Sequence, residues 1–133
     1  MKEVMAIIRI NKINPTKQAL VDAGFPAFTA IKGVGRGRRP VNFEILQAMN
    51  MNENPSDSVE VLPTLSQGGR LIPKRIISLI VPDETVSDVI QNIIKVNKTG
   101  NPGDGKIFVM PIDDVVRVRT GETGAKAIDE MTG

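Results

Sequence analysis

The sequence contains no cysteine, histidine, tryptophan or tyrosine, and its aromatic residues are four phenylalanines. Without cysteine there is neither a disulfide nor a cysteine-ligated zinc site. Without histidine the chain lacks the commonest general base and metal ligand, which excludes every Ser-His and Cys-His catalytic arrangement. We therefore predict a protein that binds ligands without catalysing a reaction, and no metal site built from protein side chains.

Long apolar runs and a strong net charge are also missing. The 133 residues are 41% hydrophobic and 24% charged, with a net charge of +2, which predicts one globular domain over residues 1–133. No apolar run approaches the roughly 20 residues of a membrane-spanning helix. The opening M-K-E-V-M-A-I-I-R does not follow the order of a signal peptide. We expect a cytoplasmic protein with no membrane insertion, and the small charge does not indicate nucleic acid.

The apolar pattern predicts two β-α-β units separated by a long excursion. In the first helix, Leu20, Val21 and Ala23 are expected to face the core, and Gly24 is expected to end the helix. The order of elements predicts an α+β fold of ferredoxin-like (double βαβ) type, an antiparallel sheet with helices on one face. The predicted strands cover residues 4–10, 27–32, 71–81, 107–110 and 115–119; the predicted helices cover residues 14–23 and a segment from Pro82 that carries Val86, Val89, Ile90, Ile93 and Ile94 on one side.

The excursion, residues 41–69, has no lysine or arginine, and is rich in acidic and small polar residues. It is too long for an ordinary connection. Within it, residues 43–51 combine good helix formers with large apolar side chains. We predict a segment that orders against a partner protein.

Residues 99–106, T-G-N-P-G-D-G-K, are the densest run of glycine in the chain. Glycines adopt positive φ readily, so such a loop can turn backbone N–H groups towards an anion, and Lys106 adds a charge. A P-loop is excluded, because Ile107 stands where Ser or Thr would hold Mg²⁺ and the order is helix–loop–strand. The alternative is a helix C-cap followed by a turn.

Two other segments carry positive charge beside glycine or on an alternating strand. Arg117 and Arg119 are two residues apart in a predicted strand, about 7 Å, and could reach neighbouring oxygens of one polyphosphate. The alternative is a solvated strand face. The run from Gly33 to Arg39 could be a basic hinge or a nucleic-acid contact. Together with the glycine loop, these segments favour an anionic ligand.

The sequence resembles the PII signal-transduction proteins, small regulators of nitrogen metabolism, over most of its length. The resemblance is carried by A-I-I-R at residues 6–9, G-x-G-R at 35–38, L-I-P-K at 71–74, T-G-x-x-G-D-G-K-I-F-V at 99–109 and R-V-R-T-G-E-x-G at 117–124. It implies a ferredoxin-like trimer with nucleotide sites in the clefts between subunits. The excursion would be the T-loop, about residues 37–72, and residues 120–133 a loosely held tail.

The resemblance also implies specific ligands. ATP or ADP would bind at the base of the long loop and at the glycine loop, with two arginines supplied by the neighbouring subunit, and 2-oxoglutarate would bind beside it, with Mg²⁺ accompanying ATP. The implied nucleotide-binding residues are Thr29, Gly35, Gly37, Arg38, Gly103, Asp104, Gly105, Lys106, Arg117 and Arg119; the implied 2-oxoglutarate-binding residues are Lys74 and Arg39.

The sequence departs from the family pattern at several positions. Arg39 replaces the usual glutamine, and a guanidinium can neither ligate a cation nor accept a hydrogen bond. Ser78 replaces a common glutamate, and tyrosyl modification is excluded because there is no tyrosine. The longer loop resembles the branch of methanogenic archaea and anaerobic bacteria in which paired sister PII proteins inhibit dinitrogenase. We therefore expect a homotrimer, or a hetero-oligomer with a sister protein, acting on dinitrogenase.

Two other functions fit the same predicted fold. A PII protein could instead regulate a transporter or another metabolic enzyme, because the target is chosen by loop residues. An RNA-binding domain of similar topology would need stacking aromatics on its strands, and the corresponding strand supplies only Phe108. We therefore predict no nucleic-acid partner.

Overall fold

The computed structural model describes residues 1–37 and 71–128. The segment of helix formers at residues 43–51, which is predicted to order against a partner protein, lies outside this part of the chain, as does most of the long loop. The strands are β1 (Lys2–Arg9), β2 (Thr29–Gly35), β3 (Ile72–Val81) and β4 (Lys106–Pro111); the helices are α1 (Ile13–Asp22) and α2 (Val86–Asn97); 3-10 turns lie at Ile10–Lys12, Asp83–Thr85 and Gly124–Ala127.

The four strands form one antiparallel sheet in the order β2-β3-β1-β4. This order, with a helix between β1 and β2 and another between β3 and β4, confirms the ferredoxin-like prediction. Alternate residues of β1 and β3 point to the helices, where Leu20 of α1 and Val89 and Ile93 of α2 complete the core. The buried strand residues are Val4, Ala6, Ile8, Ile77, Leu79 and Val81.

Helix α1 turns a different face to the core from the one predicted. The chain enters it through the 3-10 turn Ile10–Lys12, and the helix starts at Ile13, before Asn14. Leu20 is buried as expected, but Val21 is 46% exposed and Ala23 is exposed. The second buried residue of α1 is Thr16, four positions before Leu20. Gly24 follows the helix with φ +92°, which confirms it as the stop signal.

A buried polar contact joins the two helices. Asn97, at the end of α2, donates from Nδ2 to Thr16 Oγ1 at 2.9 Å and to the Ile93 carbonyl at 2.9 Å. The Thr16 hydroxyl in turn donates to the Lys12 carbonyl at 2.6 Å. Because both side chains are buried, these hydrogen bonds fix the position of α1 against α2 where α2 leads into the glycine loop.

The strand predicted over residues 115–119 does not join the sheet. Its ladder contact is an isolated antiparallel bridge between Val116 and Thr123. The chain folds back on itself here, because Gly121 N–H donates to the Arg117 carbonyl and Arg117 N–H donates to the Glu122 carbonyl. The burial expected from alternation is inverted, with Val118 fully exposed and Arg117 8% exposed.

The sheet face opposite the helices carries apolar side chains that remain partly exposed in the single chain. By register, Met5 lies beside Phe108, and Ile7 beside Ile76, which in turn pairs with Ile31. Ile31 and Phe108 are exposed. Among the described residues, no helix has the length and hydrophobicity that crossing a membrane requires.

Candidate anion-binding site

The candidate site lies at one end of the sheet, where several predicted ligand residues come together. Arg9 at the end of β1 pairs with Lys74 near the start of β3, and Lys74 pairs on its other side with Gly33 of β2. Lys106, the first residue of β4, pairs with Ile7. The glycine loop between α2 and β4 closes this end, so two lysines and an arginine surround it.

The loop takes a shape that its glycines make accessible. Gly100, Gly103 and Gly105 have φ of +85°, +99° and +107°, in the region that L-residues rarely enter. Gly105 also passes close to β1, and a Cβ placed on it would lie 1.9 Å from the Ile7 carbonyl oxygen. A side chain at this position is therefore excluded by conformation and by space.

The Asp104 carboxylate holds the loop together from inside. Its Oδ1 accepts from Arg9 Nη1 at 2.6 Å and from the Thr99 hydroxyl, and its Oδ2 accepts from the backbone N–H groups of Thr99 at 2.8 Å and Gly100 at 3.0 Å. Partial burial acts to raise the pKa of Asp104, but the hydrogen bonds from Thr99, Arg9 and Gly100 outweigh it and hold that pKa well below its usual range. The backbone N–H groups of Thr99 and Gly100 thus already bind an anion, the chain's own Asp104 carboxylate.

Arg9 and Lys74 reach the loop from the sheet below. Arg9 Nη2 donates to the Pro102 carbonyl at 3.0 Å, and its guanidinium lies close enough under Gly103 that a Cβ there would be 3.2 Å from Nη2. Lys74 Nζ is 3.4 Å from the Gly103 carbonyl oxygen. Burial, followed by the positive charge of Arg9, lowers the pKa of Lys74, while the Asp104 carboxylate opposes the shift. An anionic ligand at Lys74 would favour the charged ammonium and so offset both effects.

The two arginines of the predicted strand have different environments. The Arg117 guanidinium is buried against its own segment, with Nη1 3.2 Å from Glu122 Oε1 and Nη2 donating to the Lys126 carbonyl at 2.5 Å. Arg119 lies on the surface. The sequence interpretation of two guanidiniums displayed together from one strand face is therefore wrong for the single chain.

The remaining predicted nucleotide residues divide into two groups. Gly35 ends β2 opposite Ile72, at the same end of the sheet as Lys74, and Gly37 follows it. Thr29 begins β2 opposite Ser78, four residues along β3 from Lys74, or about 13 Å. A single chain therefore does not bring Thr29 to the loop. Arg38 and Arg39 lie outside the described residues.

Arg9 and Thr99 contribute to the site although the sequence analysis gave them no role. Arg9 belongs to the A-I-I-R motif and Thr99 opens the glycine run, so both were visible as motif members. Their function depends on pairing: β1 lies between β3 and β4, which places Arg9 beside both Lys74 and Asp104. Strand order, which a linear motif does not encode, is the missing signal.

Comparison with known proteins places this geometry in a family. The family described as Nitrogen regulatory protein P-II matches residues 1–122. A Methanobacterium ivanovii protein named "Nitrogen fixation nifHD region GlnB-like protein 2" is 50% identical over 129 residues, covering 96% of this chain and 99% of that protein. Its namesake from Methanococcus maripaludis is 45% identical over 133 residues, covering 96% of this chain and all of that protein.

The fold agrees with a solved structure as well. The crystal structure of Arabidopsis thaliana PII bound to citrate superposes with a TM-score of 0.68 and 30% sequence identity, covering 96% of this chain and 89% of that one. The family match over nearly the whole chain, the methanogen relatives and the shared fold agree: this chain belongs to the PII family of nitrogen regulatory proteins.

Proposed function

We propose that this chain is a non-enzymatic nitrogen-status sensor that binds ATP or ADP together with 2-oxoglutarate and controls its target through the long loop. The observation that carries the proposal is the glycine loop at the end of the sheet, held in an anion-accepting shape between Lys74 and Lys106. PII proteins are regulatory signal-transduction proteins, and the site offers cations and backbone groups with no histidine or cysteine to act on a substrate.

In this proposal the nucleotide phosphates lie against Gly103, Gly105 and Lys106, and the base of the long loop closes over them through Gly35, Gly37 and Arg38. Arg117 and Arg119 come from a neighbouring subunit. Asp104 acts on the loop and not on the ligand, since both of its oxygens already accept hydrogen bonds from the chain. It is therefore a positioning residue.

The effector 2-oxoglutarate is proposed to bind at Lys74, with Arg39 as its second cation. The partly buried Lys74 ammonium, crowded by Arg9, gains most from a carboxylate at this point. Within the described residues no cluster of three acidic, histidine or cysteine side chains could hold a metal. Mg²⁺ would therefore depend mainly on the ligand oxygens of ATP and 2-oxoglutarate, a donor set that suits it.

The partly exposed apolar sheet face supports assembly into a trimer, as in the PII family. Three such faces packed together would bury Ile31 and Phe108. Assembly also supplies what the single chain does not bring to the loop, namely Thr29, Arg117 and Arg119 from a second subunit. A sister PII chain with the same face would assemble in the same way.

Dinitrogenase is the proposed target, because the relatives that share 45–50% identity carry names that place them in the nifHD nitrogen-fixation region. A transporter or another metabolic enzyme is the alternative target. Affinity capture from nitrogen-fixing cell extract, with and without 2-oxoglutarate, tests this choice. Retention of dinitrogenase subunits that is lost when MgATP and 2-oxoglutarate are added supports the first target, and retention of a membrane transporter supports the second.

Calorimetric titration with MgATP, with and without saturating 2-oxoglutarate, tests the sensor itself. We expect ATP binding that strengthens when 2-oxoglutarate is present. Lys106→Ala should weaken ATP binding about tenfold or more, the size of one charge-assisted phosphate contact. Lys95→Ala removes the same charge from the exposed side of α2 and serves as the control. If the Lys106 and Lys95 variants titrate alike, the phosphate site is not at this loop.

A further inference from the structure

The Arg117 guanidinium is a buried cation in an otherwise exposed segment. Arg117 is 8% exposed, whereas its neighbours Val116 and Val118 are 59% and 100% exposed. Its Nη1 pairs with Glu122 Oε1 at 3.2 Å, and its Nη2 donates to the Lys126 carbonyl at 2.5 Å. One side chain thus ties the fold-back at residues 117–122 to the C-terminal 3-10 turn.

The proposed function requires the same guanidinium to contact nucleotide phosphates. A guanidinium presents its N–H groups in a rigid planar fork, so a bidentate phosphate contact uses the edge that faces a carboxylate or a carbonyl. The Glu122 side chain is 45% exposed, so its carboxylate is already partly hydrated and can move fully into water when it leaves Arg117. A polyphosphate carries more negative charge than one carboxylate and can displace it.

We propose that Glu122 competes with the nucleotide for Arg117, and that nucleotide binding releases the C-terminal turn Gly124–Ala127 from the Arg117 side chain. This inference rests on the proposed function, because it concerns how the same nucleotide site is regulated. Glu122 is then a residue that sets nucleotide affinity without touching the nucleotide. The ligand is a nucleoside polyphosphate, and the competing group is supplied by the chain itself.

The backbone of this segment permits such an exchange. Arg117 N–H donates to the Glu122 carbonyl at 2.8 Å, and Gly121 N–H donates to the Arg117 carbonyl at 2.7 Å. These hydrogen bonds do not involve the guanidinium, so the fold-back survives when the side chain leaves. At the start of the turn, Gly124 N–H is held by Asp114 Oδ1 at 2.9 Å. Release of the Lys126 carbonyl therefore loosens the far end of the turn, which is then held by the burial of Ala127, while its start stays attached.

The first measurement is calorimetric titration of ATP into the Glu122→Gln protein. Glutamine keeps an acceptor for the guanidinium but removes the charge that competes with phosphate. We expect ATP to bind about two- to fivefold more tightly than to wild type, the range for weakening one partly exposed ion pair. Glu84→Gln removes an equal charge from an exposed position before α2 and serves as the matched control.

The second measurement uses the unmodified protein and does not depend on a variant folding. Trypsin cleaves after Lys126, whose carbonyl is held by Arg117 in the ligand-free chain. We expect ATP to accelerate this cleavage, measured by mass spectrometry as loss of residues 127–133, severalfold relative to cleavage after Lys17 in α1.

The outcomes separate this inference from the function on which it rests. If ATP does not bind the wild-type protein, the nucleotide site itself is wrong. If ATP binds, but Glu122→Gln and Glu84→Gln have equal affinities and cleavage after Lys126 does not respond to ATP, the nucleotide site stands and the competition is overturned.

Discussion

Replacing Gly105 with alanine tests whether the glycine loop owes its shape to its close contact with β1. An alanine at φ +107° costs about 1–2 kcal/mol in backbone conformation alone. Its Cβ would lie 1.9 Å from the Ile7 carbonyl oxygen, so loop and strand must separate by more than about 1 Å. The separation falls where Ile7 pairs with Lys106, and loss of one or two ladder hydrogen bonds there adds about 1–2 kcal/mol.

Gly100→Ala is the matched control, because Gly100 lies in the same loop at φ +85° and a Cβ there meets no atom within 4 Å. Gly100→Ala should therefore cost the conformational part only. For a chain of this size, 1 kcal/mol corresponds to about 3–5 °C in melting temperature. We expect Gly105→Ala to melt roughly 3–10 °C below Gly100→Ala at equal protein concentration, and to bind ATP more weakly.

Thermal unfolding followed by circular dichroism measures the two melting temperatures. An ATP titration of each variant, at a temperature where both are folded, measures the two affinities. Equal melting temperatures for the two alanine variants would show that the close approach of Gly105 to β1 does not constrain the loop. Normal ATP affinity in Gly105→Ala would show that the loop shape does not matter to binding.

Three further changes test other contacts. Asp104→Asn should cost about 2 kcal/mol at neutral pH by weakening charge-assisted hydrogen bonds. Because the folded pKa of Asp104 is depressed, the stability it contributes is present above about pH 4 and is lost as pH falls through the folded pKa. The free energy of unfolding in urea should therefore fall less steeply with decreasing pH in the variant than in wild type. Lys74→Met should stabilise the ligand-free protein slightly at pH 7, by less than about 1 kcal/mol, and abolish the response to 2-oxoglutarate. Since the folded pKa of Lys74 is lowered, wild type should gain stability relative to the variant as pH rises towards the unfolded pKa near 10.4. A constant difference in melting temperature between the two proteins from pH 7 to 10 would contradict this. Thr16→Val should cost about 1–3 kcal/mol, because it removes one of the two acceptors of the buried Asn97 amide and leaves only the Ile93 carbonyl. Urea unfolding measures this cost, and an unchanged midpoint would contradict the reasoning.

Much of this fold follows from local pattern, and the exceptions have identifiable causes. Helix α2 carries Val89 and Ile93 at helical spacing and buries both, as predicted, but Ile94, predicted on the same side, is exposed. Helix α1 was assigned the wrong inner face: Ile13, Thr16 and Leu20 follow one another at helical spacing on the side that packs against the core, whereas Val21 lies about 100° further around the helix. Residues 115–119 alternate like a strand, yet Gly121 reverses the chain before a neighbouring strand is reached.

The site was predictable to a similar degree. The glycine spacing predicted a loop with positive φ at three positions, and the structure confirms all three. The sequence could not tell whether Asp104 binds the ligand or positions the loop, because its role depends on which donors surround its carboxylate. Those donors come from Thr99 nearby and from Arg9, 95 residues away in sequence, and only the pairing of β1 with β4 brings Arg9 there.

The internal carboxylate in the glycine loop has a consequence for the speed of sensing. A loop that must order itself around each incoming ligand loses conformational entropy at every binding event, and its association is slowed by that rearrangement. Here Asp104 already holds the backbone of Thr99 and Gly100, so the loop is preorganised before any ligand arrives. In the proposed sensor, ATP and ADP would then exchange at a rate set by encounter and departure, and occupancy would follow the cellular ratio of the two nucleotides without a lag from refolding this loop.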